Sequence, residues 1–215
     1  LNASQALSAS LLLAKRLRKL NPGQNVGLLL PTSSTGVIAN MATLLAGKTV
    51  VNLNYTAPQE VLASALSQAE IAVVFTSQRF VKKLEKSGLN ISQLLTGKQV
   101  IYLEHLQSDI GTTERLGTWL AVRLFPTWLI QHGFCHSHDA DATAAIVFTS
   151  GSEGSPKGVM LSHRNLMANI KQTSDVLNTQ SDDVVMGSLP LFHVFGFTVT
   201  QLLPLIEGLP LVCHA

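Results

Sequence analysis

The chain has 215 residues, 46% of them apolar and only 13% charged, with a formal net charge of +2. That length makes one large domain or two small ones and allows roughly three quarters of the unfolded surface to be buried. The weak positive balance argues against a nucleic-acid partner, and the two cysteines, Cys135 and Cys213, form neither a disulfide framework nor a metal-binding pattern, which suits a reduced cytoplasmic setting.

Charge is sparse beside the roughly 25% of ordinary soluble domains, which suggests that part of the surface is covered by something else. No segment reads as a signal peptide, and no run reaches the ~18 uncharged apolar residues of a membrane span. Gly117 to Phe134 comes nearest, interrupted by Arg123, Pro126 and Gln131. It can lie on a membrane surface or a partner domain, but reads first as a packed helix with a proline kink.

In chain order, Leu7, Leu11, Leu13, Ala14, Leu17 and Leu20 recur at helical spacing and predict an amphipathic helix over 4–20. Lys15, Arg16, Arg18 and Lys19 form its wet face. Asn21-Pro22-Gly23 stops it. Short apolar runs at Val26–Leu30, Val50–Leu53, Ile71–Phe75 and Val100–Leu103 predict strands. Between them, 35–46 (ending at Gly47), 58–68 (with Pro58 in the first turn) and 77–86 (closed by Gly88) predict helices. This alternation implies β-α-β units, hence an α/β fold with a mostly parallel sheet and helices on both faces.

Residues 104–142 are less regular and read as a connector, closing a first segment over 1–142. It holds His132, His136, His138, Asp139 and Asp141. A metal site is one reading; a polar, solvated connector is preferred, since no ligand spacing such as H-E-x-x-H is present. The second segment, 143–215, opens with a strand at Ala145–Phe148. A loop over Thr149–Gly158 and an extended piece at Val159–Leu161 follow. Ser162 caps a helix to about Leu177 that puts Leu166, Ile170 and Leu177 on one face. Val184–Gly187 is a strand, Phe192–Leu203 an apolar helix ending before Pro204, and Leu209–Cys213 begins another strand.

The loop Thr149-Ser150-Gly151-Ser152-Glu153-Gly154-Ser155-Pro156-Lys157-Gly158 carries the chemistry. Its ten residues include four hydroxyl side chains, three glycines and one lysine. Glycines let backbone N–H groups approach an anion, hydroxyls add donors, and Lys157 adds a mobile positive charge. A Walker loop is excluded, because Pro156 stands where its second glycine would be and Gly158 follows the lysine. The plain alternative is a Gly/Ser turn in a hairpin.

The loop resembles the phosphate signature of the adenylate-forming superfamily, which includes acyl-CoA synthetases, luciferases and peptide-synthetase adenylation domains. That pattern runs roughly [ST]-S-G-[ST]-[TE]-G-x-P-K-G, and Thr149 to Gly158 match each fixed position. Val159 to Leu166 continue the resemblance. Leu189-Pro190-Leu191-Phe192-His193-Val194-Phe195-Gly196 resembles the family's L-P-x-F-H-x-x-G stretch, and Leu44 to Asn54 adds a weaker third match. Together they cover nearly the whole chain. Ser152-Glu153 and the run through Ile170 are most similar to the acyl-acyl-carrier-protein synthetase branch, which includes the synthetase half of bifunctional 2-acylglycerophosphoethanolamine acyltransferases.

The resemblance implies that Thr149, Ser150, Gly151, Ser152, Glu153, Gly154 and Lys157 form the ATP site, with Mg²⁺ at the β- and γ-phosphates. Glu153 either helps position Mg²⁺ or, the preferred reading, turns away to bond loop N–H groups. The implied reaction activates a fatty carboxylate as acyl-AMP and passes the acyl group to a thiol of acyl-carrier protein or coenzyme A. His193 would sit near the carboxylate and α-phosphate; the plain alternative is a core histidine. Phe195, Phe197, Val199, Leu202 and Leu203 line an acyl tunnel or simply fill the core. Ser162 is a helix cap rather than a nucleophile. Amino-acid or aryl-acid adenylation, and a non-catalytic binding module, remain alternatives. The family's Y-G-x-T-E and T-G-D stretches, its hinge and its catalytic lysine are absent from these residues. The expectation is therefore an N-terminal portion that does not complete adenylation alone and works with the C-terminal part of the same enzyme, in the cytoplasm or at the inner membrane's cytoplasmic face.

Overall fold

The computed structural model describes residues 1–20, 23–136, 139–149 and 156–214, apart from the Gln107 side chain. Helix α1 (Ala3–Leu20) precedes strand β1 (Asn25–Leu28). Then come α2 (Ser34–Leu45), β2 (Thr49–Asn52), α3 (Gln59–Gln68), β3 (Val73–Thr76), α4 (Gln78–Lys86), the single turn α5 (Ile91–Leu94) and β4 (Gln99–Tyr102). Helices α6 (Leu103–Ser108), α7 (Thr112–Leu124) and α8 (Thr127–Phe134) lead to β5 (Thr143–Thr149), β6 (Lys157–Ser162) and α9 (His163–Leu177). The remainder is β7 (Val185–Gly187), α10 (Val194–Phe197), a π-helical turn (Thr198–Leu202), α11 (Leu203–Glu207) and β8 (Leu211–Cys213).

Six strands form one sheet in the order β4-β3-β1-β2-β5-β6. All neighbours run parallel except β5 and β6, which pair antiparallel. Alternate strand residues feed opposite faces, as the pleat requires. Val73 and Phe75 join Leu13, Leu17, Ala39, Ala42 and Ile170 in one core cluster. Val74 and Val51 join Leu62, Leu66, Phe80, Leu84 and Ile91 in the other. Helices therefore cover both faces, and the predicted α/β class is the observed one. The strands β5 and β6, which open the second sequence segment, complete the sheet that the first begins. A separate parallel pair, β7–β8, forms the other sheet.

Three expectations need correcting. The connector 104–142 contains three helices, and Gly117–Phe134 is two helices meeting at Phe125-Pro126 rather than one kinked helix. Their periodicity is masked because the inward face is narrow: Thr118, Ala121 and Ile130 are the buried residues of α7 and α8. The predicted helix 192–203 does not stop before Pro204. It continues to Glu207 and ends at Gly208, whose φ is 75°. Proline lacks an N–H and crowds the carbonyl four residues back, and the wider π turn at 198–202 accommodates it. Leu177 is 58% exposed, so the buried face of α9 is carried by Leu166 and Ile170. Ser162 does cap α9, in a capping box with Asn165.

Candidate active site

Thr149 and Lys157 are not loop residues: they face each other across the last pair of the β5–β6 hairpin. The connection narrows to six residues, 150–155, and Pro156. Ser150, Gly151, Ser152, Glu153 and Gly154 lie outside the described residues, as does His138. The Thr149 hydroxyl donates a long bond of 3.5 Å to the Lys157 carbonyl oxygen. Both residues are exposed, and Lys157 makes no ion pair among the described residues. The ammonium therefore stands in solvent at the carboxyl end of β5, the edge where open α/β sheets hold ligands.

The hairpin root is braced from below. Pro156 is buried, and the Gln68 amide of α3 donates to its carbonyl oxygen at 3.1 Å. A cleft of about 180 Å³ opens beside it, lined by Asn52, Asn54, Pro58, Phe148, Thr149 and Pro156. Behind the cleft, the Asn52 amide donates to Asn40 Oδ1 at 2.8 Å, and the buried Asn40 amide donates to the Gly36 carbonyl at 2.9 Å. These amides tie β2 to α2, so the cleft floor is fixed. A larger cavity of about 410 Å³ opens on α1, α2, α6 and α7 and holds none of the motif residues.

The second motif is fastened to the same edge. The Thr32 hydroxyl, just past β1, donates to the Leu189 carbonyl at 3.0 Å. Tyr55, in the turn that lines the cleft, meets Phe192 edge to face at 5.0 Å and Phe80 of α4 at 4.9 Å. Burial pushes its phenol up from the ordinary value. A Cβ on Gly196 would run into the Pro190 carbonyl oxygen, so glycine is required where the chain doubles back. His193 lies against Phe192, ring centroids 4.7 Å apart, and its side chain is exposed. The core-histidine alternative is thus overturned. The aromatic stripe divides: Phe197, Leu202 and Leu203 are buried core, whereas Phe195 is 55% exposed.

Sequence reasoning missed Tyr55 and Gln201. Tyr55 follows directly on the third motif, and an aromatic beside that match was the available signal. Gln201 is fully buried in the π turn, and neither its amide nitrogen nor its oxygen has a hydrogen-bond partner. Nothing in the sequence flagged it, since a glutamine in an apolar helix is ordinarily at the surface. Among the described residues no group of three or more His, Cys, Asp or Glu side chains could hold a metal ion. In the connector, Asp141 is engaged instead by Arg164, at 2.7 and 3.1 Å.

The family model for AMP-binding enzymes matches residues 1–215. The chain belongs to the AMP-binding enzyme family. It is 30% identical over 207 residues to a long-chain-fatty-acid–CoA ligase of Salmonella typhimurium, covering 86% of this chain and 36% of that protein. Over a shorter stretch of 57 residues it is 49% identical to a chloroplastic long-chain-fatty-acid–[acyl-carrier-protein] ligase of Arabidopsis thaliana, covering 26% of this chain and 8% of that one. In fold it matches the o-succinylbenzoate CoA synthetase of Bacillus subtilis bound to its acyl-adenylate, with a TM-score of 0.74 at 23% identity over 97% of this chain and 48% of that one. This member of the family thus has the N-terminal fold of adenylate-forming enzymes, and it spans about a third of the length of the curated relatives it matches.

Proposed function

We propose that the full-length protein is an acid–thiol ligase that activates a fatty acid with ATP, through an acyl-adenylate, and transfers the acyl group to acyl-carrier protein or coenzyme A. The observation that carries this reading is the exposed Lys157 opposite Thr149, beside a cleft at the carboxyl edge of the sheet. The donor set fits a polyphosphate: a hydroxyl, an exposed lysine, and a connecting loop whose Ser150, Gly151, Ser152 and Gly154 would add backbone and hydroxyl donors. Lys157 and these donors would neutralise charge building on the leaving pyrophosphate. Mg²⁺ would supply further charge neutralisation there, and Glu153, as the family resemblance implies, would turn toward the loop amides. His193, exposed beside Phe192, would line the carboxylate. Residues 1–142 would supply the cleft floor and 143–215 the loop and acyl wall, with the remaining groups coming from the C-terminal part of the enzyme. The fatty-acid and thiol assignments draw on the names of the Salmonella and Arabidopsis relatives. An association of the full-length protein with the cytoplasmic face of a membrane belongs to the same reading.

One observation favours a second reading, a more polar acid such as an aryl or amino acid. Gln201 is a buried carboxamide without a partner, in the segment assigned to the acyl wall. The test is ATP–pyrophosphate exchange by the full-length protein against fatty, aryl and amino acids, then acyl transfer to acyl-carrier protein and to coenzyme A. Exchange driven by fatty acids is expected. Lys157→Ala should lower it by about 10²-fold, the range for losing one preorganised donor, without changing the melting temperature. Exchange with aryl or amino acids alone selects the second reading; no exchange with any acid leaves a non-catalytic binding module.

A further inference from the structure

Helix α7 has two apolar faces, and the fold uses one. Thr118 and Ala121 turn inward, where Ala121 packs with Leu11 of α1 and Ile130 of α8. Leu116, Leu120 and Leu124 follow one another at four-residue spacing on the outside, 55%, 41% and 72% exposed. The ridge continues round the corner through Phe125 and Trp128, 49% and 61% exposed. Exposed apolar residues scattered singly need no explanation, but five in one row do.

Along the ridge's own segment the charge has one sign. The acid of α7, Glu114, is held by Lys15 and Arg16 of α1 at 2.8 and 2.6 Å, on the packed side of the helix. From Arg115 to His138 the sequence contains no Asp or Glu, while Arg115 and Arg123 are both present. Arg123 lies over the Trp119 ring, 5.2 Å from its centroid. Among the described residues no helix is long and apolar enough to cross a membrane. Leucines, Phe and Trp on one face, flanked by arginines and free of carboxylates, are the composition of a helix that lies in a bilayer interface with anionic lipids.

We propose that the α7–α8 ridge is a lipid-docking surface that seats the protein on an anionic bilayer. Leu116, Leu120, Leu124, Phe125 and Trp128 enter the headgroup–acyl boundary, and Arg123 meets the phosphates. This does not depend on which acid the enzyme activates; it deepens the membrane association proposed above by naming its surface.

The experiment uses the full-length protein. Sedimentation is measured with vesicles of phosphatidylglycerol and phosphatidylethanolamine, and with phosphatidylcholine alone. Binding to the anionic vesicles is expected, weakening as salt is raised. Leu120→Gln with Leu124→Gln should weaken partitioning about tenfold or more at an unchanged melting temperature, since both positions are exposed. Arg123→Gln should weaken binding to anionic vesicles and leave binding to phosphatidylcholine unchanged. The proposal is overturned if the chain does not bind anionic vesicles, or if the double variant binds as well as the parent. It is equally overturned if the chain self-associates without vesicles and the double variant is monomeric, which would make the ridge a protein interface.

Discussion

In the six-stranded sheet, β3 is buried at all four of its positions, whereas in the β7–β8 pair Met186 and Val212 are 63% and 50% exposed. Both sheets rest mainly on parallel pairing, which is stable chiefly where both faces are covered. The first sheet has α1 and α2 on one side and α3, α4 and α5 on the other. The second has the π turn against one side, where Gly187 approaches the Thr200 carbonyl, and the exposed Met186 and Val212 on the other. Buried hydroxyls are satisfied in both regions, Thr198 and Thr200 of the second donating to the Val194 and Gly196 carbonyls. In the first region the buried Thr43, Thr76 and Asn40 side chains all donate to backbone carbonyls. Among the described residues, the buried side-chain polar atoms without a partner are the two of Gln201, in the second. The two regions thus share one core, and they differ at the outward face of β7–β8 and at Gln201.

Four substitutions would break or sharpen that contrast. The largest effect belongs to Phe75→Ala, since Phe75 is 1% exposed between β1 and β4. A loss of about 3–5 kcal/mol by denaturant unfolding is expected; a loss under about 1 kcal/mol would show that the first core is not closely packed. Gly196→Ala comes next, because the new Cβ meets the Pro190 backbone. About 1–3 kcal/mol is expected, and hydrogen exchange should accelerate in β7, β8 and 194–207 while β1 and β3 stay protected. Equal acceleration everywhere would mean that the two regions open as one unit. Gln201→Leu reverses the sign. Replacing an orphaned amide by an apolar side chain should stabilise by about 1–3 kcal/mol, read as a raised melting temperature. A lowered one would mean that water or a ligand satisfies the glutamine.

The smallest effect concerns Glu114, at the edge of the first region. The Arg16 guanidinium, aided by Lys15, holds its carboxyl at about 2, against an ordinary 4.5. A depressed carboxylate contributes stability above pH 4.5, and that contribution is lost as pH falls toward 2. Glu114→Gln should therefore flatten the acid limb of the stability curve within that window and cost no more than about 1 kcal/mol at neutral pH, because the pair is partly solvated. An acid limb identical to the parent's would show that the pair contributes nothing.

The first region was also the more legible. Its central strands are short runs such as Val73-Val74-Phe75, buried on both faces, and α2 and α4 are followed by Gly47 and Gly88, both at positive φ. Local chemistry and tertiary packing agree there. The connector was opaque because α7 is apolar on two opposite sides, so no single stripe stands out against the background. The 194–207 helix was read as ending before Pro204, since a proline usually ends a helix; only packing of Leu202 and Leu203 into the main core makes the π turn worthwhile. At the site, Thr149, Lys157 and His193 could be named from their motifs, but not their surroundings. The Tyr55–Phe192 contact joins residues far apart in the chain, and no local pattern announces it.

By itself, then, the sequence determined the parallel α/β class and the family, because these rest on short-range periodicity and on residue types whose chemistry is local. The tertiary structure decided that Thr149 and Lys157 are paired strand residues, that His193 faces solvent, that Gln201 is buried without a partner, and that α7 leaves a row of leucines uncovered. Each of these depends on which element packs against which, and burial is a property of that assembly rather than of any one segment.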